Sequence, residues 1–358
     1  MSTIKSSEAF LGIQVLRLFA ALLVVLAHTT QMMNDRMSVG PGIWENGTAG
    51  VDVFFVISGF VMALTASQLR DRTDGWRDFL TRRVVRVMPM YWIATTLKIG
   101  MIIAIPAMAR HAVLAPGHLI ASYLLVPWPN PQGNVFPILT VGWTLTFEML
   151  FYGLVAAALF LRKSPLAFCT IVFSLVAVLG LLLNTTSPVT RDTSAPMLAV
   201  RALLDPLVIE FILGMAIAKF LKRPLLPFWL TGALLLAATA TLLLGDGHGN
   251  WRAFAWGIPA ATVVACTVQL ESFIRPWAPN WLLQQGDASY SLYLFHPFIL
   301  PIAGLAFLKL NAPYPLLIIA ACLIISLLSA LAVHLALETP ITTRLRKLTT
   351  RKLVPQNA

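Results

Sequence analysis

Arg17 and His28 lie within one apolar stretch, Leu11 to Thr30, which is long enough to cross a bilayer. On an α-helix their spacing places both residues within about 20° of the same face and roughly 16 Å apart along the axis. A basic side chain deep in a membrane span costs at least about 2.5–3.5 kcal/mol. Two such residues on one face predict a polar lining opposite them, so we expect this first helix to form one wall of a pathway across the membrane.

His28 is a candidate general base, because imidazole titrates near neutrality; the alternative is a packing histidine bonded to a neighbouring carbonyl. Glu148 lies in another predicted span, about two turns from its outer end and close to the expected depth of His28. A carboxylate there is expected to orient His28 and to stabilise its imidazolium form, as the acid does in a catalytic triad. The alternative for Glu148 is a structural ion pair with Arg17 or Lys98.

Arg82, Arg83 and Arg86 form a basic cluster at the predicted cytoplasmic start of the third span. Their spacing of three and four residues indicates one helical face, and Pro89 is expected to kink the helix that follows. Such a cluster is suited to holding the phosphates of a cytoplasmic cofactor. The alternatives are a topological signal or the binding of anionic lipid headgroups.

Weaker candidates are polar residues in or beside other spans. Asp52 stands at the outer start of the second span, where it can cap the helix, and Ser58 adds a polar group next to Gly59, which permits close helix approach. Tyr290, Tyr293 and His296 form a polar stripe at three-residue spacing in the ninth span. These residues are candidates for substrate or oxyanion contacts; the alternative is a kinked helix with buried hydroxyl groups.

The elements that position these residues follow from composition. The chain is 58% hydrophobic and 11% charged, with a mean hydropathy of +0.79, whereas soluble domains carry about 25% charged residues. These values indicate an all-α, polytopic membrane protein. The formal net charge of +11 is explained by the sidedness of the loops, so no nucleic-acid partner is needed.

Ten spans are predicted from apolar runs bounded by loop residues. They cover 11–30, 48–67, 84–108, 140–161, 166–184, 199–220, 226–244, 252–270, 288–309 and 315–337, with a short interfacial segment near 117–126. With ten spans, about 18 of the 26 Lys and Arg residues fall on the side of both termini and about six on the opposite side, which makes the first side cytoplasmic. Residues 1–358 are therefore expected to form one integral domain, with a basic cytoplasmic tail over 341–358.

Six motifs follow one another along the chain: Arg17 with His28, Gly50 to Phe60, Arg82 to Arg86 with Pro89, Trp143 to Tyr152, Ser289 to His296, and Glu338 to Pro340. Together they resemble acyltransferase family 3, the bacterial integral-membrane O-acyltransferases, and the opening of the chain is most similar to the exopolysaccharide O-acetyltransferase branch. Each motif alone is weakly specific, whereas their order along most of the chain is strongly specific. The resemblance also implies ten spans with cytoplasmic termini.

The resemblance implies an acyl-CoA donor, acetyl-CoA by family expectation, and a hydroxyl of a glycan or lipid-linked oligosaccharide as acceptor, in the bacterial inner membrane. No metal is expected, because the sequence contains no cluster of metal-ligating residues. We expect the three arginines of the third span to hold the CoA phosphates, and Arg17 to line the route of the acyl arm. His28 would deprotonate the acceptor hydroxyl, or carry the acyl group transiently. Asp52, Ser58, Trp143, Tyr290 and His296 remain weak candidates for substrate or oxyanion contacts.

Two other classes of function fit parts of the pattern. A glycan transporter or flippase would use Arg17, His28 and Glu148 as a proton or substrate relay, although no inverted repeat is visible. A membrane assembly or sensor subunit would perform no chemistry and would tolerate conservative changes at His28 and Glu148. Transfer of a labelled acetyl group to polysaccharide distinguishes the enzyme from both.

Overall fold

The computed structural model describes residues 10–37, 42–105, 114–130, 132–186, 194–221, 224–247, 249–310 and 314–350. Over these ranges the protein is helical, with 84% helix and no strands. The all-α class predicted from the hydropathy pattern is therefore confirmed.

The helices follow one another along the chain with short connections. They are α1 (Leu11–Met37), α2 (Ala49–Leu69), α3 (Gly75–Ala104), α4 (Pro116–Leu124), α5 (Trp143–Phe160), α6 (Pro165–Thr186), α7 (Ala195–Leu203), α8 (Val208–Phe220), α9 (Phe228–Leu244), α10 (Arg252–Ala255), α11 (Gly257–Gln269), α12 (Glu271–Ile274), α13 (Asn280–Asp287), α14 (Ser289–Lys309), α15 (Pro315–Val333) and α16 (Thr339–Thr350). Short 3₁₀ turns precede α2, α5 and α10, another follows α12, and a π-helical turn, His334–Glu338, joins α15 to α16.

Seven helical segments in the described ranges are long and apolar enough to cross a membrane, or eight if one bent pair counts as a span. They are Leu11–Met37, Glu45–Leu69, Gly75–Ala104, Thr140–Phe160, Pro165–Leu183, Ser289–Lys309 and Pro315–Thr349, and the bent pair is Arg252–Gln269 with Glu271–Trp277. The protein is thus a multi-pass membrane protein. The count of ten spans and the cytoplasmic position of the termini stay predictions.

The sixth span, expected over 199–220, is instead two helices, α7 and α8. Pro206 explains the break, because proline lacks a backbone N–H and disfavours the helical conformation of the residue before it. That residue, Asp205, accepts a hydrogen bond from the Leu207 backbone N–H at 2.9 Å instead. A continuous apolar run therefore contains a local turn.

The predicted spans over 226–244 and 252–270 also differ from long straight helices. α9 has only 17 residues, and the helical segment from Arg252 bends by 59° between Gln269 and Glu271. The short segment near 117–126 is confirmed as the nine-residue helix α4, which is followed by Leu125 with a φ of 56°. Of the predicted basic tail, residues 351–358 lie outside the described residues.

The described chain divides into two compact units. Unit 1 comprises Met1–Val61 and Glu210–Leu331, and unit 2 comprises Met62–Ile209 and Ala332–Ala358. The chain leaves unit 1 within α2 and returns to it within α8. Each unit consists of two separate chain segments. The single integral domain expected over residues 1–358 stays a prediction.

Unit 1 is built around α1, which packs against α11, α13 and α14. Apolar side chains of α1, α14 and α15 form a buried core that includes Leu18, Val25, Met33, Leu292 and Ile318. Leu18, Val25 and Met33 recur along α1 with helical spacing, so one face of this helix is apolar and packed. The packing fixes the rotation of α1 and hence the direction of its polar residues.

The beginning of α1 is held by a carboxylate from a distant part of unit 1. Glu271 accepts hydrogen bonds from the backbone N–H groups of Leu11 and Gly12, both at 2.9 Å, and pairs with Arg275 at 3.0 Å. A carboxylate at a helix N-terminus satisfies free N–H groups and interacts favourably with the helix dipole. α1 is therefore fixed in position as well as in rotation.

Unit 2 is built around α3, which packs against α4, α5 and α16, while α5 also packs on α6. α3 begins at Gly75, nine residues before the span predicted at 84–108. The basic cluster Arg82, Arg83 and Arg86 is therefore inside the helix rather than at its start. Residues 106–108 of that predicted span lie outside the described ranges.

Candidate active site

A pair of histidines is the centre of the candidate site in unit 1. His28 of α1 and His296 of α14 place their rings 5.0 Å apart, nearly parallel at 29°. His28 Nδ1 and His296 Nε2 are 3.1 Å apart, within hydrogen-bond distance. His296 is only 1% exposed, so this contact is inside the protein and does not compete with water.

The carbonyl oxygen of Leu292 determines which ring nitrogens of this pair carry hydrogen. His296 Nδ1 lies 3.2 Å from the Leu292 carbonyl oxygen, which can only accept, so a neutral His296 carries its hydrogen on Nδ1. Its Nε2 is then the acceptor, and His28 Nδ1–H is the donor. His28 Nε2 is left with a lone pair, which is the form of imidazole that acts as a general base.

Aromatic rings line the histidine pair within unit 1. The Tyr293 ring lies 6.1 Å from His296 and 5.9 Å from Phe54, measured between centroids. Tyr290 and Ser58 are half-buried on α14 and α2. Tyr293 thus belongs to the predicted polar stripe together with His296, and contact of Tyr290 or Ser58 with substrate stays a prediction.

Gly59 confirms the expected close helix approach. A Cβ atom at Gly59 would collide with the backbone carbonyl of Phe211 on α8, and one at Gly214 would collide with that of Val56 on α2. Only glycine permits backbones to cross at this distance. The segment before Ser58 is thereby held against α8.

Asp52 is fully buried and forms an ion pair within unit 1. Its carboxylate accepts hydrogen bonds from Arg252 Nε at 3.1 Å and from Arg252 Nη2 at 2.7 Å. The same Nη2 also donates to the Thr48 carbonyl at 3.1 Å, and the guanidinium lies 4.9 Å from the Trp256 ring. A carboxylate held in this way joins the start of α2 to α10, and the predicted substrate contact of Asp52 stays untested.

Arg82 and Arg83 have different partners in unit 2. Arg82 donates to both oxygens of Asp78, at 2.7 and 2.8 Å, and Arg72 also pairs with Asp78 at 3.1 Å. Arg83 donates from Nη2 to Thr65 Oγ1 at 2.6 Å. Its Nε is buried and has no hydrogen-bond partner within the described part of the chain. Arg83 is therefore the better placed of the two to bind an anion.

Glu148 belongs to the same unit as Arg83. Tyr152 donates a hydrogen bond from its hydroxyl to Glu148 Oε1, and α5, which carries both residues, packs against α3, which carries Arg83. The described contacts thus join His28 to His296, and Glu148 to Tyr152. Orientation of His28 by Glu148 stays a prediction.

Two further predicted residues have defined places. Arg17 is half-buried on α1 in unit 1, and its role along the donor's route stays a prediction. Trp143 is the first residue of α5 in unit 2 and contacts Phe136 and Phe147 edge to face, with centroids 6.5 and 6.0 Å apart. This aromatic contact fixes the start of the helix that carries Glu148.

Sequence reasoning missed the partners that come from distant segments. Arg252 was visible as a single cation beside an apolar run, but nothing near it in the sequence indicated Asp52, which is 200 residues away. The described part of the chain contains no group of three or more His, Cys, Asp or Glu side chains that could hold a metal ion.

Comparison with known proteins places the chain in a family. The family described as "Acyltransferase domain" matches residues 10–334. The exopolysaccharide production protein ExoZ of Rhizobium meliloti is 33% identical over 305 residues, covering 83% of this chain and 90% of that protein. The putative membrane-bound transacylase BcsY of Komagataeibacter xylinus is 28% identical, covering 89% of this chain and 80% of that protein.

A more distant relative has a longer chain. The putative peptidoglycan O-acetyltransferase YrhL of Bacillus subtilis is 24% identical, covering 80% of this chain and 48% of that protein. The search of solved structures found no match. A family match over most of the chain, together with a relative above 30% identity, establishes that this multi-pass membrane protein belongs to acyltransferase family 3 and is an O-acyltransferase.

Proposed function

We propose that this protein transfers an acetyl group from cytoplasmic acetyl-CoA to a hydroxyl of an exported or cell-surface glycan, in the inner membrane of a bacterium. The observation that carries the proposal is the His28–His296 pair, which leaves His28 Nε2 as an acceptor of protons. The names of two relatives, an exopolysaccharide production protein and a putative peptidoglycan O-acetyltransferase, support a glycan acceptor.

The reaction begins with His28 Nε2 taking the proton of the acceptor hydroxyl. The oxygen attacks the thioester carbonyl carbon, a new C–O bond forms, and the C–S bond then breaks. The thiolate of CoA leaves and takes the proton from the His28 imidazolium, so that the products are the acetylated glycan and free CoA. General-base assistance of this kind contributes roughly 10²–10⁴-fold to the rate.

His296 is proposed as a positioning residue for His28. It accepts the hydrogen on His28 Nδ1 and is itself held by the Leu292 carbonyl, so the reactive tautomer and the ring orientation of His28 are both fixed. This is the task of the buried acid in a catalytic triad. A neutral imidazole performs it here without placing a full charge in the buried position.

Arg83 and Arg86 are proposed to bind phosphates of the donor, and Arg82 to stabilise the helix through Asp78. Guanidinium groups form strong, directional hydrogen bonds with phosphate oxygens. Glu148, which is held by Tyr152, is proposed to keep Arg83 in place through its charge. Arg17 on α1 is proposed to line the route of the acyl arm.

The test uses purified protein in proteoliposomes with radiolabelled acetyl-CoA and glycan from the producing cells. We expect label on the glycan with the unchanged protein and a loss of at least about 100-fold with His28→Ala. Thermal melting of His28→Ala in detergent controls for folding. Movement of glycan across the membrane without incorporation of label would instead identify a flippase, and substantial acetylation by a folded His28→Ala variant would refute the assignment of the base.

A further inference from the structure

Two buried polar atoms near the start of α14 have no hydrogen-bond partner within the described part of the chain. Ser289, the first residue of α14, is fully buried, and its Oγ forms no hydrogen bond there. The Oε1 atom of Gln285, on α13, is likewise buried and without a partner in the described ranges. A buried polar atom that has lost water without gaining a hydrogen bond is costly, and most such atoms in folded proteins are paired. The two atoms therefore indicate a site that a ligand with hydrogen-bonding groups completes.

These two residues share a helical face with one member of the histidine pair. Backbone hydrogen bonds donated by Ala288 and Leu292, at 3.0 and 2.9 Å, continue the helical pattern across the junction of α13 and α14. At about 100° per residue, Gln285, Ser289 and His296 fall within about 40° of one another. Along the axis, Ser289 lies about 6 Å from Gln285 and about 10 Å from His296. The unpaired atoms are therefore in line with the candidate site, on the N-terminal side of it.

This face of α13 and α14 packs against α1, the helix that carries the proposed base. Leu292 belongs to the same buried core as Leu18 of α1. A Cβ atom at Gly286 would lie 2.4 Å from the Gln14 carbonyl oxygen, so the backbones of α13 and α1 are in contact. Around the helix, Ser289 lies between Leu292 and Gly286. Its side of the helix is therefore the side that packs against α1.

Amide groups match the chemistry of the two unpaired atoms. Gln285 Oε1 can only accept a hydrogen bond, whereas Ser289 Oγ carries a hydrogen that it can donate. An amide offers an N–H to the first and a carbonyl oxygen to the second. It does so without a full charge, which would be costly in a buried position. The pantetheine arm of coenzyme A is an uncharged chain that carries amide groups along its length.

The distance to the histidine pair fits the length of such an arm. An extended chain advances about 3.3–3.6 Å for every three backbone bonds. The separation of about 10 Å between Ser289 and His296 along the axis thus corresponds to roughly nine bonds. Pantetheine places its amide groups within that number of bonds from the thioester carbonyl. An amide held at Ser289 can therefore belong to an arm whose thioester reaches the histidine pair.

We propose that Ser289 and Gln285 bind amide groups of the pantetheine arm of the acyl donor and so guide its thioester to His28. The inference rests on the proposed function, in which the donor is acetyl-CoA. It assigns the beginning of α14 to the donor and gives the arm uncharged contacts, separate from the arginines that are proposed to bind the phosphates.

Binding of two ligands to the full-length protein tests the inference. The protein is placed in phosphatidylcholine nanodiscs, and isothermal titration calorimetry gives the affinity for coenzyme A and for its nucleotide part, which keeps the phosphates but lacks the arm. We expect Ser289→Ala and Gln285→Met each to weaken coenzyme A binding about fivefold, the loss of one hydrogen bond in a buried site. The affinity for the nucleotide is expected to change by less than about twofold.

The matched control is Ser326→Ala. Ser326 lies on α15 in unit 1, is as fully buried as Ser289, and its Oγ also lacks a partner within the described ranges. Its replacement removes a buried hydroxyl away from the face that carries His296, so the affinity for either ligand is expected to change by less than about twofold. Melting temperatures of the three variants in detergent control for folding.

Equal losses of affinity for coenzyme A and for the nucleotide would overturn the inference, as would equal losses in Ser289→Ala and Ser326→Ala. An increase confined to the KM for glycan in proteoliposomes would assign the two groups to the acceptor and would also overturn it. If the unchanged protein binds no coenzyme A, the proposed donor is wrong and the inference fails with it. If coenzyme A binds equally well to the unchanged protein and to both variants, the donor stands and the inference alone is wrong.

Discussion

The histidine pair of unit 1 and the arginine cluster of unit 2, Arg82, Arg83 and Arg86, differ in their charge. His28 and His296 share one hydrogen bond without any full charge, and the orientation of each ring is fixed by a defined partner. Arg83 and Arg86 lie three residues apart on α3, so their like charges repel one another. A base needs a free lone pair in a fixed direction, whereas an anion site needs unbalanced positive charge. In the proposed function, the histidine pair therefore provides the base and the arginine cluster binds the donor.

From this difference we expect the largest loss of activity when the hydrogen bond between His28 and His296 is removed. His296→Ala removes the acceptor that holds His28 Nδ1–H, so kcat is expected to fall by roughly 100-fold while the KM for acetyl-CoA changes little. His296→Asn should recover part of the rate, because its amide oxygen can accept the same hydrogen bond. Both values are measured with labelled acetyl-CoA in proteoliposomes.

A mainly structural role for His296 would give a different pattern. His296→Ala and His296→Asn would then lose activity in parallel with their melting temperature, and the residual enzyme would keep its normal kcat. In that case the assignment of His296 as a positioning residue is wrong and Glu148 becomes the favoured orienting group for His28.

An intermediate effect is expected in the arginine cluster, and it should appear in KM. Arg83→Gln is expected to raise the KM for acetyl-CoA about tenfold, because a charge-assisted phosphate contact is lost. Arg82→Gln is the matched control: its guanidinium is held by Asp78, so the KM is expected to change by less than about threefold. Steady-state kinetics with varied acetyl-CoA and fixed glycan provide both values.

A larger increase of the KM for acetyl-CoA in Arg82→Gln than in Arg83→Gln would contradict the division of roles within the cluster. An increase confined to the KM for glycan would mean that the cluster binds the acceptor rather than the donor. Either result would remove the contrast between a unit for chemistry and a unit for donor binding.

The smallest effect on activity is expected at the ion pair of unit 1. Asp52→Asn leaves Arg252 without its carboxylate in a largely buried site, and the loss of stability is expected to be about 3 kcal/mol, seen as a lower melting temperature in detergent. Activity per folded molecule should change less than about threefold. The double variant with Arg252→Gln should recover part of the stability, because no unpaired charge is left. A stable Asp52→Asn variant with a large loss of kcat would place Asp52 in the catalytic site instead.

Apolar periodicity predicted the long helices, since a residue pattern that satisfies a bilayer over about 20 residues has few alternatives. It predicted a single helix over 199–220 because hydropathy averages over a window and does not register the local effect of Pro206. The nine extra residues at the start of α3 were missed for a different reason, because the helix continues into polar residues beyond the apolar run.

The sequence alone determined the all-helical membrane class, the resemblance to the acyltransferases, and the candidates His28, Arg83 and Arg86. Those conclusions depend on residue types and on their spacing within single helices, and both are visible in the amino-acid sequence. Only the tertiary structure decided that His28 meets His296, 268 residues away, that Asp52 pairs with Arg252, and that Arg83 donates a hydrogen bond to Thr65. Such pairings depend on how helices rotate and pack against one another, and that is set by many apolar contacts together rather than by any short motif.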